Sequence, residues 1–285
     1  RHTRYISVTG VQTCALPIWS GQLYLVESSA LGNNHRGDLE VGAWYAMIDA
    51  PVTRSLRFIG GARRESTSLE VRSLDPRRRA GRLESDDVLP SISGVLALSE
   101  RMNLRAAFTR TLARPNFREI ADYTSFEYVG DFVYIGNPGL RRTRITNYDL
   151  RWEWFPRRGE IVAVSAFEKR MTDPIERGVF SVVNSGELQF QNAPEGRVRG
   201  VELEVRKGFG FVAPWLQPFS GGFNYTWVES AVSITPEELR FIRYYEAGAG
   251  ATRELTGQSP YIVNVDLSYR NAGRSEEHTS ELQSH

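Results

Sequence analysis

Residues 145–170 read Ile-Thr-Asn-Tyr-Asp-Leu-Arg-Trp-Glu-Trp-Phe-Pro-Arg-Arg-Gly-Glu-Ile-Val-Ala-Val-Ser-Ala-Phe-Glu-Lys-Arg. Strand side chains alternate faces, so Tyr148, Leu150, Trp152 and Trp154 fall on one side and Asp149, Arg151 and Glu153 on the other. The polar stretch Pro156-Arg157-Arg158-Gly159 then turns the chain into a second run. One face is apolar and one is charged. A soluble hairpin can alternate in this way too, but large aromatics gathered beside a tight turn are what a strand ending at a membrane interface carries.

Both ends of the chain stand apart from this pattern. Arg274 to His285 can be written in codons whose reverse complement, short of two bases, translates as Val-Thr-Gly-Val-Gln-Thr-Cys-Ala-Leu-Pro-Ile, which is Val8 to Ile18 residue for residue. That DNA looks like a sequencing-library adapter translated at both ends, and Arg1 to Ser7 fits its upstream flank. A signal peptide would need a longer apolar core. The expected organisation is therefore adapter over 1–18, one genuine segment over 19–273, and adapter over 274–285.

Setting the adapters aside sharpens the composition. Of the 35 basic and 34 acidic residues, Arg1, Arg4, Arg274, Glu276, Glu277 and Glu281 lie in them, leaving 32 and 31 and an unchanged net charge of +1. Cys14, the single cysteine, goes with them, as do His2, His278 and His285, so only His35 remains. Cysteine-ligated metals, disulfides, thiol catalysis and a multi-histidine metal site are excluded for 19–273. The charge balance predicts no nucleic-acid surface, and Arg77-Arg78-Arg79 and Arg141-Arg142 read as solvated loop tips. No window approaches the roughly 18 consecutive apolar residues of a membrane helix.

Strand patterns recur near 22–28, 39–49, 54–65, 88–98, 103–111, 145–155, 160–170, 198–206, 219–229 and 260–270. Val201, Leu203 and Val205 oppose Glu202, Glu204 and Arg206; Phe223, Tyr225 and Trp227 oppose Asn224 and Thr226; Tyr261, Val263, Val265, Leu267 and Tyr269 oppose Asn264, Asp266, Ser268 and Arg270. Almost nothing reads as a core helix that would cover these aromatics. The gaps alternate, with 50–53, 99–102 and 156–159 short and 66–87, 112–144 and 171–197 long. A medium turn at 207–218 and a long loop at 230–259 follow. Short turns on one rim and long loops on the other describe an outer-membrane barrel. Within the last loop, Thr235-Pro236-Glu237-Glu238 predicts a capping box opening a short helix that ends at Gly248 and Gly250.

Several stretches, in order, resemble the C-terminal half of TonB-dependent outer-membrane receptors. They are Arg105-Ala-Ala-Phe-Thr-Arg-Thr-Leu-Ala-Arg-Pro115, Gly136-Asn137-Pro138, Asn147 to Phe155, Gln191-Asn192-Ala193, Gly200 to Glu204, Asn224-Tyr225-Thr226 and Gln258-Ser259-Pro260-Tyr261. Each motif is short; their order and spacing make the match specific over most of 39–270. Gly139 and Arg141-Arg142 depart from the family, which often has asparagine and a lysine-proline pair there.

The resemblance implies an all-β fold: an antiparallel transmembrane β-barrel segment, incomplete, with about ten strands of a barrel of about 22 around a plug. It further implies active uptake of a scarce nutrient, a sugar, metal chelate or similar small molecule, with energy delivered by TonB through a plug domain that this stretch does not contain. Outer-membrane lipid would surround the barrel in a Gram-negative cell. Lipid-facing charge costs about 2–4 kcal/mol at midplane, so Asp149, Arg151, Glu153, Glu202, Glu204 and Arg206 are expected to face the lumen. The loop over 112–144 offers the richest ligand chemistry, with Arg114, Asn116, Arg118, Tyr123, Asp131 and Tyr134 as candidates beside Phe126 and Tyr128. The same residues can instead pack the loop on itself.

No catalytic residue is expected. Asp86-Asp87 and Glu237-Glu238 are adjacent acids with no partner spacing, Gly208-Phe-Gly210 and Gly248-Ala-Gly250 are too short to cradle phosphate, and His35 alone forms no triad or metal site. Arg36-Gly37-Asp38 reads as a turn. No cofactor is implied. A passive porin-type barrel and, behind it, a soluble all-β binding protein are the competing readings.

Overall fold

The computed structural model describes residues 4–9, 13–17, 23–27, 34–125, 132–179 and 187–270. Three short strands come first: β1 (Arg4–Thr9), β2 (Thr13–Pro17) and β3 (Leu23–Glu27). Next are β4 (Asn34–Pro51), β5 (Leu56–Ser73), β6 (Gly81–Ser99) and β7 (Met102–Ala113), then a one-turn helix α1 (Phe117–Ile120) with β8 (Thr124–Ser125) and β9 (Val133–Ile135). The opening hairpin is β10 (Thr143–Trp154) and β11 (Ile161–Thr172). It is followed by β12 (Ile175–Val179), β13 (Glu187–Asn192), β14 (Glu195–Gly208), β15 (Phe219–Ser233), α2 (Pro236–Tyr245), β16 (Thr252–Arg253) and β17 (Tyr261–Tyr269).

One antiparallel sheet dominates, in the order β1-β4-β5-β6-β7-β10-β11-β14-β15, with β16 and β17 both on β15. Apart from β1, its strands meander in chain order, which is what short connections impose on antiparallel neighbours. Among the described residues the sheet does not close on itself. The candidate strand at 22–28 is a correction: β3 pairs with β2 in a separate two-stranded sheet instead of joining the wall. The edge of β4 is taken by β1, Arg4 opposite Leu39 through Thr9 opposite Asn34. An unpaired strand edge is a template for any extended segment within reach, and β1 falls inside the stretch read as adapter.

The two faces of the sheet follow the alternation in the sequence. Register places Leu150 beside Ala106 and Ala166, then Val201, Trp227 and Tyr261, all on one face. This row is largely solvent-accessible, Leu150 at 50% and Trp227 at 43%, with Val265 at 76% further down the face. In water that would be an unfavourable surface of contiguous apolar side chains. In a bilayer it is the expected one.

The 66–87 gap is a second correction. β5 and β6 are 18 and 19 residues long and leave only a tight connection over 74–80. A tilted strand needs about 9–11 residues to cross a bilayer, so both run well past it. Cross-strand polar pairs hold the extension: the Arg64 guanidinium donates to Asp86 (2.9 Å), Ser68 donates to Glu84 (3.2 Å) and Arg82 donates to Glu70 (2.6 Å). The hydrophobic periodicity ends where the apolar belt ends, while the ladder continues. The 171–197 gap likewise contains β12 and β13, which with β8 and β9 build a four-stranded sheet above the wall.

The buried core lies under this loop layer. Leu69, Val71 and Leu83 on the polar face of β5 and β6 pack with Ile120, Ala121, Tyr123 and Leu140. Gly81 and Gly136 permit the close approach, since a Cβ at either would run into the carbonyl oxygen of Ile120 or of Ala121. At the opposite rim, Gly159 closes the β10–β11 turn at φ 82°, a left-handed conformation that other residues adopt only with strain.

Candidate functional site

The polar face of the wall carries a chain of charge. Glu153, 7% exposed, accepts from Arg105 on β7 (2.7 Å) and from Arg151 on its own strand (2.9 Å). Arg151 also donates to Ser165 on β11 (3.0 Å) and to Glu204 on β14 (2.7 Å). Asn224 on β15 donates to Glu202 at 2.5 Å. The line thus crosses five strands, and the buried carboxylate is doubly paired, the condition under which a buried charge is tolerated. Asp149 and Arg206 share this face, exposed, with no hydrogen bond or ion pair among the described residues.

A second charged cluster sits higher on the same face, beneath the loops. Glu65 accepts from Arg63 (2.7 Å) and is ion-paired with Arg114, whose guanidinium also donates to Thr67 (3.0 Å). Arg142 pairs with Asp87 at 2.5 Å. Three guanidinium groups face two buried carboxylates. Burial, and then the neighbouring Arg63 and Arg142 charges, push the Arg114 pKa below its ordinary value.

The six loop candidates fall into different positions. Arg114 belongs to the cluster just described. Asn116 caps α1: its side-chain oxygen accepts from the Glu119 amide (2.9 Å) while Glu119 accepts from the Asn116 amide (2.9 Å), a complete capping box. Tyr123 is buried in the loop core and its ring lies 5.5 Å from that of His35. Arg118 is exposed. Tyr134 holds the Arg177 guanidinium over its ring at 4.7 Å, beside Phe190 at 6.3 Å. Asp131, Phe126 and Tyr128 lie outside the described residues.

The wall has a counterpart among known proteins. The family model described as TonB dependent receptor-like, beta-barrel matches residues 16–279. The chain belongs to that family. Solved receptors share the fold: the ferric citrate transporter FecA (TM-score 0.59, 14% identity, over 88% of this chain and 33% of that one) and the alcaligin outer-membrane receptor FauA from Bordetella pertussis (0.54, 14%, 85% and 36%). The siderophore receptor PirA from Acinetobacter baumannii matches at 0.50 and 14% identity, over 91% and 43%. This TonB-dependent receptor segment thus spans about a third of the length of FecA and FauA. No curated protein matches it in sequence.

Some of the receptor's loop chemistry escaped the sequence reading. Arg63, Glu65 and Asp87 sit in runs with no aromatic signal, and only the register shows that they meet Arg114 and Arg142. Asn116 and Glu119 did carry a sign, the Asn-x-x-Glu spacing of a capping box after Pro115. The box expected at Thr235 forms its first half, the Thr235 hydroxyl accepting from the Glu238 amide at 3.3 Å. The buried Glu238 carboxylate accepts from Gln191 at 3.0 Å, tying α2 to β13. Nor did composition reveal the surroundings of His35. Burial and then the Arg118 charge push its pKa down, and its Nδ1 is buried without a hydrogen-bond partner.

Proposed function

We propose that this receptor imports a metal chelate across the outer membrane, with the polar face lining the lumen and TonB supplying the energy. The observation that carries the reading is the division of one sheet into an exposed apolar face and a paired, charged face roofed by folded loops. A wall between lipid and an aqueous lumen satisfies both at once. The chelate class is favoured by FecA and FauA, which are named for ferric citrate and alcaligin.

Arg118, exposed, and Tyr134, with its Arg177 partner, would touch the ligand, because cation and aromatic face are presented together. Arg114, Asn116 and Tyr123 would act through the shape of the loop, and Asp131 would join the contact set. Uptake of radio-iron supplied as ferric citrate or as ferric alcaligin, in cells expressing the full-length receptor, tests this. Arg118→Ala and Tyr134→Ala should each weaken binding about tenfold. Unchanged binding in both removes the loop from ligand recognition. Equal uptake in cells lacking TonB would favour the passive porin-type reading.

A further inference from the structure

The connection between β14 and β15 differs from its neighbours at the same rim. The turns over 52–55, 100–101 and 155–160 are short and carry Arg54, Arg101 and Arg157-Arg158. Residues 209–218 read instead Phe-Gly-Phe-Val-Ala-Pro-Trp-Leu-Gln-Pro, and no charged residue lies between Lys207 and Glu229. The stretch folds into two single-turn 3-10 helices, Phe209–Phe211 and Pro214–Leu216. The Val212 amide donates to the Phe209 carbonyl (2.9 Å) and the Leu216 amide to that of Ala213 (3.0 Å). Pairing backbone groups within the turn lowers the cost of taking it out of water.

This turn lies against the apolar face of the wall. Gly221 sits opposite Lys207 and Leu267, two residues along from Phe223, so a side chain there would point outward. The Phe209 ring fills that space, 2.7 Å from where a Cβ would stand. Lys207, on the same face, holds its ammonium 4.7 Å from the centre of the Phe211 ring. The outward apolar row of Val205, Phe223 and Leu267 thus runs on into the turn, where Phe211, Val212 and Trp215 stay exposed, Trp215 at 73%.

We propose that residues 209–216 are a membrane anchor, inserted among the phospholipids of the inner leaflet of the outer membrane. The proposal rests on the outer-membrane reading above, which sets this rim at the inner leaflet. Aromatic side chains favour the headgroup region, and Lys207 can extend its ammonium to a lipid phosphate while its stem stays on the apolar side. A protein partner would have to displace lipid from a surface continuous with the lipid-facing wall.

The test uses the full-length receptor in bilayers of phosphatidylethanolamine and phosphatidylglycerol, with a nitroxide on Val212→Cys in a background without other cysteines. Labels on Arg158→Cys in the β10–β11 turn and on Leu203→Cys in the apolar face give the aqueous and bilayer references. Collisions of the Val212 label with a water-soluble nickel chelate should be several-fold rarer than at Arg158, and collisions with oxygen more frequent. In the unmodified receptor, phosphatidylethanolamine carrying a diazirine beside its headgroup should cross-link to the peptide containing 209–216. That cross-link decides the matter where the labelled variant does not fold. Chelate access at Val212 equal to that at Arg158, or absence of the cross-link, overturns the proposal and leaves the transport reading standing. Protection of Val212 that appears only when periplasmic proteins are added assigns the turn to one of them and overturns it too. Free chelate access at Leu203 as well brings down the outer-membrane reading itself.

Discussion

Glu65 shows what single residues contribute to this wall. Its carboxylate, buried under the loops, is shared by Arg63 and Arg114, so removing it leaves two guanidinium groups without their partner. Breaking a buried pair costs about 3–5 kcal/mol. Glu65→Ala in the full-length receptor should lower the temperature of heat-induced barrel unfolding on gels, whereas Glu84→Ala, whose partner Ser68 is exposed, should change it little. His35 offers a pH dependence with a defined sign. Its folded pKa is below its ordinary value of about 6.5, so the unfolded chain binds more protons in that window. The contribution of His35 to loop stability is full above 6.5 and declines as pH falls from there toward the depressed value. Burial raises the Glu119 pKa, which acts in the opposite sense from above about 4.5, so only a His35→Gln comparison isolates the histidine. Corrected for the intrinsic slowing of exchange with falling pH, the amide protection factors of 117–123 should fall between about pH 7.5 and about 5.5 in the wild type and not in that variant.

At the scale of elements, α1 is a single turn, too short to persist by its own propensity. The Asn116–Glu119 box and the packing of Ile120 on Leu69 and Leu83 hold it. Asn116→Ala should cost about 1 kcal/mol and raise the rate of protease cleavage near Arg118, without altering cleavage elsewhere. Gly136→Ala, which drives a Cβ into the Ala121 carbonyl, should do the same more strongly. These elements also mark the limit of what periodicity conveys. The wall strands of the opening hairpin were legible to within a residue or two, because Tyr148, Trp152 and Trp154 oppose Asp149, Arg151 and Glu153 across a period that only a strand satisfies. The upper halves of β5 and β6 were not, because Ser66, Ser68 and Glu70 face solvent on one side while Thr67, Leu69 and Val71 meet a loop on the other. Nothing in the local sequence announces that covering loop.

At the scale of the molecule, the wall makes sense only with a partner solvent for each face. Its apolar face exposes Trp44, Leu150, Trp227 and Val265, and among the described residues the sheet does not close, which leaves an edge with backbone groups to be paired. Residues 19–273 expressed alone should therefore aggregate in buffer; a monomeric, cooperatively unfolding species without detergent would contradict a membrane wall. The same scale holds the origin of the ends. We propose that 1–18 and 274–285 derive from adapter DNA, so a genomic reading frame should diverge from this sequence near Trp19 and Gly273. The family was legible from motifs that recur in order along the strands, while the substrate depends on loop geometry that no motif encodes. Energised transport is the central claim, and its most direct measurement is uptake of radio-iron from ferric chelates by cells carrying the full-length receptor, with and without a functional TonB. Saturable accumulation that disappears when TonB is removed is the predicted result. Uptake that proceeds unchanged without TonB, rising linearly with concentration as through an open pore, would contradict it.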